Sequence, residues 1–173
     1  MTTHRMTWIA LVATLSFVTR IMFSFLPNVQ PTTVIFLLVT IFIGVKEGII
    51  VATLSMILSN IYLGFGIWTI PQIASYALIL MLVSLITKPE ERTELPVFLV
   101  IAFLSGLAYG FLISIMNIPL FGVGYFFVYY LNGFTFDVAH AVGNVTFTLV
   151  LYPTLVPLFE KQKYKLDCKE LKK

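Results

Sequence analysis

Three ionisable side chains stand inside otherwise apolar runs: Arg20, Asp137 and His140. An Arg or Asp at the centre of a membrane-spanning helix costs about 2.5–3.5 kcal/mol on insertion scales, so such positions are functional candidates by default. Asp137, His140 and Asn144 follow i, i+3, i+7 spacing and share one face of a helix. Arg20 is followed by "FLPNVQPTT", in which Asn28 and Gln30 lie between Pro27 and Pro31 with no charge nearby. Asn60 and Gln72 flank "GFGIWT", which carries Trp68, and Tyr76 comes one turn after Gln72. Side-chain amides both donate and accept hydrogen bonds, and the prolines restrict the loop, which lowers the cost of ordering it around a ligand. This chemistry is non-covalent capture of a polar molecule.

Other readings of the same residues stand beside it. Arg20 and Asp137 could neutralise each other, and Asn60 and Asn144 could bridge helices as buried amides do in bilayers. An intramembrane enzyme would use Asp137 and His140, or Ser105 paired with His140 as nucleophile and base. Nothing near Ser105 marks an oxyanion hole. His140 has no second His or Cys at its depth, so no metal site is expected. Without a Walker loop the chain cannot itself draw on ATP.

The elements that must position these groups follow from composition. Of 173 residues, 59% are hydrophobic and 11% charged, against about 25% charged in a soluble domain. A solvated surface cannot be built from that set, so the expectation is an all-α integral membrane protein in contact with lipid. Spanning needs about 20 apolar residues, and six segments qualify: 6–26, 31–45, 48–66, 70–87, 95–116 and 133–158. The second is short unless Pro31 begins it. "VKEG" at 45–48 and "KPEERTE" at 88–94 separate neighbouring spans. Residues 117–132, "NIPLFGVGYFFVYYLN", read as an aromatic interfacial segment over the outer mouth, since Tyr and aromatic rings favour headgroup depth.

Charge sets orientation. Arg5, Lys46, Lys88, Arg92 and the six lysines from Lys161 onward all fall on one side of such a six-span protein. By the positive-inside rule that side is cytoplasmic, and both termini lie there. The basic tail from about residue 160 suits anionic headgroups, and accounts for most of the net charge of +3. Cys168 has no cysteine to pair with. No hinge or repeat divides residues 1–173, which are expected to form one domain. The polar groups then gather in the outer half of the bundle, as in a pocket open outside and closed below.

Taken together, Arg20, "FLPNVQP", Gly44, "KEG", "LSNIYLGFGIWTIPQ" and "FDVAHAVGN" resemble the substrate-binding S-components of energy-coupling factor (ECF) vitamin transporters, cobalamin type, over about residues 18–150. The resemblance implies a six-helix subunit in a prokaryotic cell membrane that captures a vitamin outside. It also implies one transmembrane coupling subunit and two ATPase subunits as partners, no cofactor of its own, no nucleic acid and no catalysis. Arg20, Asn28, Gln30, Asn60, Trp68, Gln72, Tyr76, Asp137, His140 and Asn144 would line the site. Cobalamin, with its many peripheral amides, suits a neutral amide and aromatic lining. Pantothenate, whose carboxylate Arg20 could meet, is the alternative. Family members carry an Ala-xxx-Ala pattern on the first helix that meets the coupling subunit; here Ala10 and Thr14, with Ala13 beside them, are the nearest match.

Overall fold

The structure, a computed structural model, describes residues 2–87 and 93–170. Lys88, Arg92, Lys172 and Lys173, used above to argue orientation, lie outside the described residues. The chain folds as helices α1 (Thr3–Met22), α2 (Thr32–Phe42), α3 (Val45–Leu63), α4 (Thr69–Ile86), α5 (Leu95–Met116), the short α6 (Ile118–Phe121) and α7 (Val123–Glu170). Among the described residues there is no strand.

An apolar sequence with no polar face buries a helix on all sides, and α2 is the case in point. All of its residues from Thr32 to Phe42 are buried. It packs against α1, α3, α4, α5 and α7, with Val34, Phe36, Leu37, Leu38 and Val39 fully shielded. The outer helices instead leave Leu11, Ile61, Leu85, Leu104 and Leu149 exposed. Such a surface requires lipid in place of water.

Side-chain contacts fix which helix ends meet. Arg5 at the start of α1 pairs with Glu47 at the start of α3 at 2.7 Å. His4 meets Gln162 at 3.0 Å, Trp8 packs edge-on to Phe159, and the Tyr152 hydroxyl donates to the Thr93 carbonyl at 2.5 Å. The first turn of α1 and the last turns of α7 therefore share one end of the bundle with the α2–α3 turn. Gly44 makes that turn with φ +152°, where a side chain would also meet the Glu47 carboxylate. "VKEG" is thus the first turn of α3, and the break expected at 45–48 falls at Gly44 instead.

The observed helices differ from the expected elements at two places. Among the described residues five helices are long and apolar enough to cross a membrane, α1, α3, α4, α5 continued by α6, and α7, and α2 is a shorter apolar helix. The second expected span, α2, has 11 residues, about 16 Å at 1.5 Å per residue, against a hydrocarbon core of about 30 Å. Residues 117–132 are not an element of their own. After α6, a turn at Gly122 with φ +84° leads into α7, whose 48 residues absorb both 123–132 and the helix expected at 133–158.

The α5–α7 contact is close because α5 carries Gly106 and Gly110 at i, i+4, the small-xxx-small spacing that lets helix backbones approach in membranes. A Cβ at Gly106 would lie 2.6 Å from Ala141 Cα and 2.7 Å from its nitrogen. Since backbone cannot swing aside, Gly106→Ala should destabilise the protein by about 1–3 kcal/mol. Thermal melting of the detergent-purified variant measures this directly.

Candidate functional site

At the end of the bundle away from the termini lies a cavity of about 630 Å³, within the range of about 300–1,000 Å³ usual for small-molecule sites. It opens over the N-terminus of α2, and its floor is built from α2, α4 and α7. Thr33 Oγ1 lies 3.0 Å from the Tyr76 hydroxyl and 2.8 Å from His140 Nε2, tying the three helices together. Tyr109 of α5 packs against Tyr76, ring centroids 4.5 Å apart, and edge-on to His140. Thr32 also faces the cavity, and its buried hydroxyl has no protein partner. The orphan N–H groups of the α2 N-terminus add a partial positive charge to this floor.

The walls carry the polar groups singled out from sequence. Arg20 Nη1 donates to Ser59 Oγ at 2.6 Å and to Met56 Sδ at 2.9 Å, which fixes the guanidinium against α3 at the cavity edge. Asn28 and Gln30 form part of the rim. Asn28 has φ +59°, a left-handed conformation that Asn tolerates better than other side chains, so the "PNVQP" loop turns at that residue. Gln72 lines the cavity, and its Oε1 accepts from Asn60 Nδ2 at 2.7 Å. The oxygen is thereby occupied and the Nε2 donors are left for a ligand. Asn60 also donates to Thr69 at 2.9 Å.

Asp137 faces Gly110 across the α5–α7 contact, and any Cβ at Gly110 would collide with its carboxylate. Among the described residues Asp137 makes no ion pair with Arg20, so the two charges do not neutralise each other by contact. Tyr125 and Tyr129, stacked with centroids 5.1 Å apart, continue this wall along the first turns of α7 together with Asn132.

Seven of the ten residues expected at a site, Arg20, Asn28, Gln30, Gln72, Tyr76, Asp137 and His140, line one cavity. Three do not. Asn60 is buried behind Gln72. Asn144, one turn below His140, is buried with Nδ2 donating to the Ala102 carbonyl at 3.1 Å. Trp68 is 49% exposed at the start of α4, outside the lining. Sequence reasoning missed Thr32, Thr33, Tyr109 and Gly110. The Gly-xxx-Gly spacing could have flagged Gly110; no local signal distinguishes the threonines from other helix-start residues. On α1, Ala13 is in the core while Ala10 and Thr14 are exposed, Thr14 bonding back to the Ala10 carbonyl at 2.8 Å.

The model of the family "ECF transporter, substrate-specific component" matches residues 4–163. The chain belongs to this family. It is a substrate-specific membrane subunit of an ECF transporter, and members of the family are transporter subunits, not enzymes. No curated protein and no solved structure matches the chain. His140 Nε2 is engaged by Thr33.

The Thr33 hydroxyl serves two buried partners, so its loss strands both. Thr33→Val, which keeps the shape, should cost about 1–3 kcal/mol of stability through unsatisfied buried groups. Thr33→Ser should restore most of it, as read by thermal melting in detergent.

Proposed function

We propose that this subunit captures a vitamin in the cavity above α2 and passes it inward with a transmembrane coupling subunit and two ATPase subunits. The observation that supports this most directly is the convergence of seven polar residues from α1, the following loop, α4 and α7 on one hollow of small-molecule size. The bundle is oriented with that hollow outside. Arg5, Lys46 and the lysines of α7 from Lys161 lie at or beyond the opposite end, which the positive-inside rule assigns to the cytoplasm. The lining residues contact the ligand. Asn60 holds Gln72 in place from behind, Asn144 braces α7 against α5, and Trp68 serves as an anchor at the membrane interface, where Trp is enriched.

Cobalamin is the vitamin suggested by the amides of Asn28, Gln30, Gln72 and Asn132, which match a periphery of carboxamides. A corrinoid is larger than a drug-sized ligand, so it would enter by one edge and leave the remainder at the rim. The volume of about 630 Å³ and the presence of Arg20 favour a second reading, a compact vitamin with one carboxylate such as pantothenate. Arg20→Gln separates them, because a carboxylate depends on the guanidinium and a neutral amide does not. The variant should abolish binding of pantothenate and lower that of cobalamin by less than tenfold.

For docking, the exposed Ala10 and Thr14 offer a shallow strip on α1, and Ala13 supports it from within the bundle. Protein purified in detergent should retain its vitamin through gel filtration. Asn28→Gly, which keeps the left-handed turn but removes the amide, should weaken binding about tenfold, the scale of one hydrogen bond. Ala10→Trp should impair uptake by cells while leaving capture by the purified subunit intact. Normal uptake in that variant would discard the docking strip.

A further inference from the structure

The Asp137 side chain is only 6% exposed, yet it lines the cavity. Among the described residues no hydrogen bond or ion pair reaches its carboxylate. The cation nearest in role, Arg20, is turned to Ser59 and Met56. With no protein donor on them, its oxygens offer about four acceptor sites to whatever fills the cavity. The fold nevertheless makes room for it, since Gly110 on the facing helix lacks the side chain that would occupy the same space. Tyr109, packed on Tyr76 with the rings tilted by 31°, and Tyr129 line the same cavity. A structural aspartate in this position would have a protein donor.

We infer that Asp137 is the specificity-determining group of the cavity, selecting ligands that present N–H donors (a primary amide, an amine or an amino-heterocycle) and rejecting those that present a second acid. The inference rests on the capture reading above and narrows it to a substrate class. A ligand N–H donates to a carboxylate that no protein group satisfies, and a charged acceptor makes such bonds stronger than neutral ones. A ligand carboxylate placed there would meet like charge in a weakly screened site.

The test uses the full chain purified in detergent, with cobalamin, thiamine, pyridoxamine and pantothenate as probes, titrated by calorimetry beside melting of the ligand-free protein. Wild type should bind a probe bearing N–H donors. Asp137→Asn, which keeps an acceptor but not the charge, should weaken that probe several-fold, and Asp137→Leu at least tenfold. Ligand-free melting should be unchanged or raised in both, because no protein donor depends on the carboxylate and residues kept for function are often not those that maximise stability. A loss of less than tenfold in Asp137→Leu overturns the inference and leaves vitamin capture standing. So does a loss accompanied by a lower ligand-free melting temperature, which marks a structural role. A wild-type protein that binds none of the four overturns the capture reading and the inference with it.

Discussion

The architecture depends on a helix that is too short for its place. α2 is enclosed by five neighbours and buried along its whole length, while α1, α3, α4 and α5 run for 18 to 22 residues. Phe42 at its C-terminal end packs on Tyr152 near the end shared by the termini, so the deficit falls at its N-terminal end. A deficit of seven residues or more is roughly 10 Å of axis. Surrounding helices cannot collapse into that space without parting from each other elsewhere, since packed interiors deform little. The cavity is the volume that α2 does not fill, with Thr32 and Thr33 forming its floor.

Polar groups around that volume divide into those already held and those left open. Arg20 is fixed by Ser59, Gln72 by Asn60, and His140 with Tyr76 by Thr33. Each partner orients a side chain in advance, so a ligand need not bear the entropy of ordering it. The Thr32 hydroxyl lacks such a partner, and the Asp137 carboxylate is left facing the cavity and Gly110. In a protein whose surroundings are hydrocarbon, where unmet hydrogen bonds are expensive, the open groups at the hollow are the ones a ligand can reach; other buried hydroxyls without a partner, such as those of Thr40 and Thr148, are not in its lining.

The bundle was largely legible in the sequence because its cause is local. Long apolar runs form helices, and five of the six expected spans agree with observed helices to within a few residues. The errors came where neighbours decide. "VKEG" was read as a break because Lys46 and Glu47 are charged, yet Glu47 is buried against Arg5 from another helix. Residues 123–132 were read as an interfacial segment because they are aromatic. They continue α7, where Phe126 and Tyr130 pack against Phe111 of α5. Trp68 was grouped with the site through its closeness in sequence to Gln72, but a helix start turns the two to different surroundings.

By itself the sequence determined that the chain is helical and membrane-embedded, that its ionisable groups within spans are few, and that Asp137, His140 and Asn144 share a helix face. Those follow from transfer free energy and helical period, which act residue by residue. Only the tertiary structure decided that Arg20, Gln72 and Asp137 border one hollow, that Asn60 and Asn144 stand behind it, and that a glycine on α5 makes room for the carboxylate. Such facts depend on which helices touch and how far each extends, and no single segment carries that information.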